Sequence, residues 1–256
     1  MLRAGLLAAA PRAHDLAALP PAPGTRAILV DIEGTTTPIA FVHETLFPFA
    51  ATRLERCCVG SGSSPEIADA IRRLRDEYES EPRGPQADLP PFGDGSTYAA
   101  YLMRLDRKST GLKALQGILW EEGYRSGELR APVFADVPEA LVDWTGRGVR
   151  LRVFSSGSVK AQKLLFAHTD HGDLTGYFEG YHDTTTGPKQ ESRSYRAIAG
   201  AFSLPAEEVL YLSDVVAELD AAAGAGMQTG LVDRPGNQPQ PASEHPVFRD
   251  FRTLMR

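Results

Sequence analysis

Three short apolar runs in this chain each stop abruptly at polar residues, and that pattern restricts the fold more than any other feature. Ala27-Ile28-Leu29-Val30 stops at Asp31, Leu151 to Phe154, apolar except for Arg152, stops at Ser155-Ser156, and Val209 to Leu212 stops at Ser213-Asp214. A strand that is apolar on both faces belongs in a sheet covered on both sides, as parallel sheets are. Helix signals lie between the runs. Asp136-Val137-Pro138-Glu139 reads as N-cap, early proline and capping-box glutamate, with Gly146 and Gly148 as stops. Ser158 is a second candidate cap, for a helix through Phe166, and Glu191 to Phe202 and Val215 to Ala223 also look helical. The alternation predicts an α/β fold built on a doubly wound parallel sheet. The carboxyl ends of neighbouring strands then share one edge, where ligands bind and where residues distant in sequence meet.

The stretch after the first run has a different period. Ile67, Ile71, Leu74 and Tyr78 recur at helical spacing, as do Tyr98, Tyr101, Leu102 and Leu105. Strand signals are missing there, and Glu81 to Ser96, with four prolines and three glycines, reads as a loop. We therefore expect residues 26–40 and 131–256 to form the α/β core and residues 41–130 an all-helical insertion. Residues 1–25, which begin with a short apolar stretch between two arginines, are expected to be a disordered N-terminal extension.

Several function classes are excluded at this level. With 27 Lys and Arg against 33 Asp and Glu, the formal charge of -6 offers no basic field for nucleic acid or an anionic membrane. No apolar run approaches the roughly 18 residues a membrane helix needs. The two cysteines, Cys57 and Cys58, are adjacent and poorly placed to bridge each other, which suits a reduced, cytoplasmic protein.

The strand ends carry the chemistry. Asp31-Ile32-Glu33-Gly34 places two carboxylates two residues apart with a glycine to turn the chain, which suits a nucleophile beside an acid/base partner. Ser155-Ser156-Gly157-Ser158, opening a helix, offers N–H and O–H donors to an anion in the field of the helix dipole. Lys189, after Gly187-Pro188, is a candidate cation for that anion. Asp214 is placed to join Asp31 around a hard cation such as Mg²⁺, which takes oxygen ligands and few carboxylates. Glu218 is expected to support this turn and Asp220 to face solvent. Each motif alone is weak, and their order along the chain is what gives them meaning.

That order resembles the haloacid dehalogenase-like hydrolase superfamily, and the helical insertion looks like its cap domain. The likeness is narrower still. DIEGTTTPIAFVHETLFPF (31–49), LDRKSTGLKALQG (105–117), FSSGSVKAQKLLFAHTDHGDL (154–174), GPKQESRSYRAIA (187–199) and LSDVVAELDAA (212–222) are similar to the enolase-phosphatases of methionine salvage, the acireductone synthases. Glu33 stands where most phosphatases of the superfamily have Asp. His182 departs from the pattern, since an aromatic is expected before Asp183-Thr184.

The resemblance implies Asp31 as nucleophile and Mg²⁺ ligand, Glu33 as acid/base group and ligand through its carbonyl, and Asp214 as the remaining ligand. It implies Ser155, Ser156 and Lys189 as phosphate-binding residues and one Mg²⁺ per subunit. The expected substrate is a small phosphorylated diketone, 2,3-diketo-5-methylthiopentyl 1-phosphate, and the expected assembly is a monomer. Enolisation needs a base, and Glu33, His43 and Lys108 all remain open. The rivals are another Mg²⁺-dependent small-molecule phosphatase of the superfamily and a non-catalytic binding protein on the same fold.

Overall fold

A computed structural model describes residues 24–59, 64–82, 89–105, 107 and 109–254, so residues 1–23 of the predicted N-terminal extension and part of the 81–96 loop lie outside the described residues. Six strands form one sheet: β1 (Ala27–Val30), β2 (Arg150–Phe154), β3 (Gly180–His182), β4 (Val209–Ser213), β5 (Gln228–Val232) and β6 (Val247–Phe248). Their order is β3-β2-β1-β4-β5-β6, and every pairing is parallel. The three apolar runs are the three central strands. Val30 pairs with Val153 on one side and Leu212 on the other, so Asp31, Ser155 and Asp214 leave the sheet along one edge.

The outer strands carried no such signal. β3 is three residues long, β6 is two, and β5, Gln228-Thr229-Gly230-Leu231-Val232, begins with polar residues and a glycine. Neighbouring strands, rather than their own hydrophobicity, recruit them.

The helices are α1 (Phe47–Ala51), α2 (Leu54–Val59), α3 (Pro65–Glu79), α4 (Ser96–Arg104), α5 (Thr110–Ser126), α6 (Asp136–Gly146), α7 (Val159–Ala167), α8 (Ser192–Phe202) and α9 (Val216–Ala223). A π-helical turn over Phe41–Leu46 runs into α1. Alternate residues of β1 serve opposite faces of the sheet. Ile28 and Val30 pack in one cluster with Val137, Leu141, Trp144 and Phe166, while Ala27 and Leu29 pack in another with Tyr195, Ile198 and Phe202. Each face is therefore roofed by helices, which explains why β1 is apolar throughout.

A third cluster belongs to the insertion, with Leu54, Leu74, Tyr98, Leu102, Leu115 and Leu119 at its centre. Phe41, Val42, Leu46, Tyr124 and Leu129, at the two ends of the insertion, pack with the sheet instead. Within the insertion α3 and α5 come unusually close. A Cβ on Gly111 would stand 2.6 Å from the backbone nitrogen of Leu74, so only glycine permits this contact.

One predicted cap is corrected. Asp136 opens α6 but makes no capping bond; Ala135 is the residue before the first turn. Its carboxylate is committed to Arg234, with Nη1 to Oδ1 at 3.0 Å and Nη2 to Oδ2 at 2.8 Å, and it accepts the Phe251 amide at 2.6 Å. A buried guanidinium outcompetes the local amides for it. Ser158 does cap α7 as predicted, accepting from the Ala161 amide at 3.3 Å.

Candidate active site

Asp31 is the first residue beyond β1, and its amide still donates to Leu212 at 3.0 Å, which fixes it to the sheet edge. Its buried carboxylate accepts the Ile32 amide at 2.7 Å and the Lys189 ammonium at 2.8 Å. The chain then reverses at Gly34, where φ is +67°, and the Gly34 amide donates to the Thr37 carbonyl at 2.8 Å. Glycine is required here twice over. A side chain would strain that φ, and its Cβ would stand 2.4 Å from Asp214 Oδ2.

Lys189 is held from three directions. Its backbone carbonyl accepts the Tyr195 hydroxyl at 2.7 Å, and its ammonium reaches Asp31 and, at 2.7 Å, Glu218. Glu218 also accepts the Tyr211 hydroxyl at 2.7 Å and the Ser213 hydroxyl at 3.0 Å. Glu218 was expected to support this turn, and it does so by anchoring the lysine that faces Asp31. Asp220 is exposed as expected and accepts from His245 at 3.0 Å.

Ser155 and Ser156 follow β2 at the start of α7. The Ser155 amide donates to the His182 carbonyl at 3.1 Å, its hydroxyl accepts the Gly157 amide at 3.3 Å, and Gln162 braces the loop by donating to the carbonyls of Gly157 and His182 at 2.7 and 2.8 Å. His182 thus serves through its backbone, which any residue provides. Burial, with Arg152 beside it, pushes its imidazole below the usual range.

Two cavities open above this edge. The first, about 390 Å³, is lined by Glu33, Ser155 and Ser156 from the strand ends and by Leu46, Phe47, Leu102, Met103, Arg107 and Trp120 from the insertion. The second, about 480 Å³, is lined by Ser156, Thr184, Lys189 and Glu218 with Lys113 and Ser109 of the insertion. Asp31 and Asp214 line neither cavity and sit beneath them, each nearly buried. His43 lines the first cavity from an exposed position, edge-on to Phe47, while Lys108 lies outside the described residues.

The electrostatics are unbalanced toward negative charge. Burial pushes the Asp31 carboxyl upward, opposed by Lys189 and reinforced by Glu218 and Asp214. Burial and Glu218 raise Asp214 to about 6. Lys189 shifts upward as well, because the carboxylates of Asp31 and Glu218 outweigh the opposing effect of burial. At 2.8 Å between buried groups, Asp31 and Lys189 form an ion pair in which each holds the other charged.

The donor set suits a divalent cation. Asp31 and Asp214 would each be relieved by one, and the buried Oδ1 of Asn237 lacks a hydrogen-bond partner. That oxygen lies 2.9 Å from the point where a Gly34 Cβ would stand, beside Asp214 Oδ2. Among the described residues no group of three or more His, Cys, Asp or Glu side chains gathers as a metal cage. Mg²⁺ asks for less, since two carboxylates, a carbonyl, water and a substrate phosphate suffice. The residues present fit that ion.

The chain matches the family described as haloacid dehalogenase-like hydrolase over residues 25–226. It is 51% identical over 239 residues to the enolase-phosphatase E1 of Sorangium cellulosum, covering 92% of this chain and 98% of that one. The chain belongs to the enolase-phosphatase E1 family. A second member, from Synechococcus elongatus, is 46% identical over 232 residues, 89% of this chain and 96% of the relative. Among solved structures, the UTR4 protein of Saccharomyces cerevisiae aligns with a TM-score of 0.74 at 38% identity, over 90% of this chain and all of that one.

For this enolase-phosphatase family member, sequence reasoning singled out the strand-end residues but not Lys113, Gln162, Trp120 or Asn237. Gln162 and Trp120 read as ordinary helix positions, and Asn237 follows Pro235-Gly236 in what reads as a plain turn. Lys113 lies inside residues 105–117, the insertion segment that carries the resemblance.

Proposed function

We propose that the enzyme converts 2,3-diketo-5-methylthiopentyl 1-phosphate to 1,2-dihydroxy-3-keto-5-methylthiopentene and phosphate, first by enolisation and then by dephosphorylation, in methionine salvage. The observation that carries the reading is the buried Asp31–Lys189 contact at 2.8 Å beside two cavities that share Lys113 and Ser156, one walled by Lys189 and Glu218 and the other by Leu46, Phe47 and Trp120. The substrate has the same polarity, a phosphate at one end and a thioether at the other. Aromatic rings such as Phe47 and Trp120 suit sulfur.

In this reading Asp31 attacks phosphorus and becomes an aspartyl phosphate. Glu33 protonates the departing oxygen, then removes a proton from the water that hydrolyses the acyl phosphate. Ser155, Ser156 and Lys189 hold the phosphoryl oxygens. Glu218 keeps the ammonium of Lys189 aimed, so the lysine does not simply neutralise the nucleophile. Asp31, Asp214 and the Glu33 carbonyl would hold one Mg²⁺, which when bound supplies positive charge against the phosphoryl oxygens. The helices of residues 41–130 act as a cap that keeps water from the enolate. The buried, unpaired Cys57 and Cys58 fit a cytoplasmic setting, and we assign the working form as a monomer.

The test is continuous absorbance with the diketone phosphate, in which the band of the enol phosphate rises and then gives way to that of the ene-diol product as phosphate is released. Phosphate release with no enol at any time would favour a plain small-molecule phosphatase. The apolar lining of Leu46, Phe47, Leu102 and Met103 already argues against a sugar phosphate.

A further inference from the structure

We propose that Lys113 is a catalytic residue of the enolisation step, the cation that receives the charge developing on the C2 oxygen of the diketone. The inference rests on the function proposed above and supplies a group that the strand-end residues do not.

Position is the first argument. Lys113 and Ser156 are the described residues that line both cavities, the phosphate-side one with Lys189 and Glu218 and the apolar one with Trp120 and Phe47. The substrate must lie across that seam, because its phosphate belongs on one side and its thioether on the other. The carbon that loses a proton is C1, which carries the phosphate ester, and the carbonyl that takes up charge is C2, one bond further on. Whatever stabilises the enolate therefore has to stand at the seam.

Chemistry is the second argument. Lys113 projects from α5 in the insertion, and its ammonium donates to the backbone carbonyl of Ser156 at 3.2 Å, so it already touches the phosphate loop. A neutral carbonyl at that distance leaves two ammonium hydrogens for other acceptors. Asp183 is the carboxylate that senses it, and that carboxylate is engaged by the amides of Val159 and Thr185 and the hydroxyl of Thr185. Arg107, the other long cation on the apolar cavity, is paired with Glu81. Lys189 is taken by Asp31 and Glu218.

The step balances without any further reagent. The C1–H bond breaks and its electron pair becomes the C1–C2 π bond. The C2–O π pair moves onto oxygen, which faces the Lys113 ammonium, and the proton leaves to Glu33 or His43 on the same cavity wall. Donors placed where charge develops act on the transition state more than on the ground state.

Lys113→Met tests this with three readouts at saturating Mg²⁺. The first is exchange of the C1 hydrogens in D2O, followed by NMR, using the phosphonate analogue in which carbon replaces the ester oxygen. The second is hydrolysis of para-nitrophenyl phosphate, which has no ketone. The third is thermal unfolding. We expect exchange to fall about 100-fold, the scale of losing one oxyanion donor, and at least about tenfold more than aryl phosphate hydrolysis does, with an unchanged melting temperature. Lys113→Arg should restore part of the exchange. Equal losses in both reactions, or exchange unaffected in Lys113→Met, would overturn the assignment and leave Lys113 as a tether between insertion and core. Failure of the wild-type enzyme to exchange C1 hydrogens would instead sink the enolase reading, and this inference with it.

Discussion

Asp31→Asn is expected to lower turnover by about 10⁵-fold while leaving the fold intact, on the scale seen when a nucleophile is removed. The amide keeps an oxygen to accept the Ile32 amide and the Lys189 ammonium, now at 2.7 and 2.8 Å, so local geometry has little reason to change. Glu218 remains as the counter-ion of Lys189. Because burying a carboxylate costs desolvation, the variant should be at least as stable as the parent by urea unfolding. Wild-type phosphate release from purified Asp31→Asn would remove Asp31 from the mechanism.

Asp136→Ala should have the largest effect on stability, a loss of about 3–5 kcal/mol, because it strands a buried guanidinium. Arg234 is 5% exposed and is sandwiched between Phe134 and Phe251, each ring centre 4.5 Å from its Cζ. Its Nε also donates to the Thr35 carbonyl at 3.3 Å, so the same guanidinium steadies the turn that follows Asp31. The double variant Asp136→Leu/Arg234→Leu should recover much of the loss, since the cost lies in the unpaired charge. A shift in unfolding free energy below about 1 kcal/mol for Asp136→Ala would show that water or another carboxylate reaches Arg234.

How much of this was readable in the sequence follows from where the information lies. β1 and β4 are buried along their whole length and read as apolar runs, β2 is buried at Leu151, Val153 and Phe154 with Arg152 between them, and the residues after all three are written into the site by the sheet's register. β3, β5 and β6 hold their place through hydrogen bonds to neighbours, which leave little trace in side-chain composition. The same holds within the site. Asp31, Lys189 and Asp214 are legible because strand ends announce them. Asn237, by contrast, reaches Gly34 across 203 positions, with its amide on the Gly34 carbonyl at 2.9 Å, a contact that no local pattern encodes. Asp136 misled for a related reason, since a short acidic residue before proline looks like a cap whether or not an arginine elsewhere claims it.

The two tryptophans give the chain a built-in optical comparison. Trp144 is fully buried against Phe251, 5.3 Å between ring centres, on the far side of the core. Trp120 stands in the apolar cavity, stacked near Phe47 at 6.3 Å, with its indole N–H on the Leu46 carbonyl at 2.9 Å. Emission from Trp144 should be blue-shifted and indifferent to ligand, while Trp120 reports on whatever fills the cavity and on the seating of the π-helical turn that opens the insertion. A Trp144→Phe enzyme would then carry a single tryptophan at the place where the thioether end of the substrate is expected to rest, and occupancy could be followed in real time without labelling.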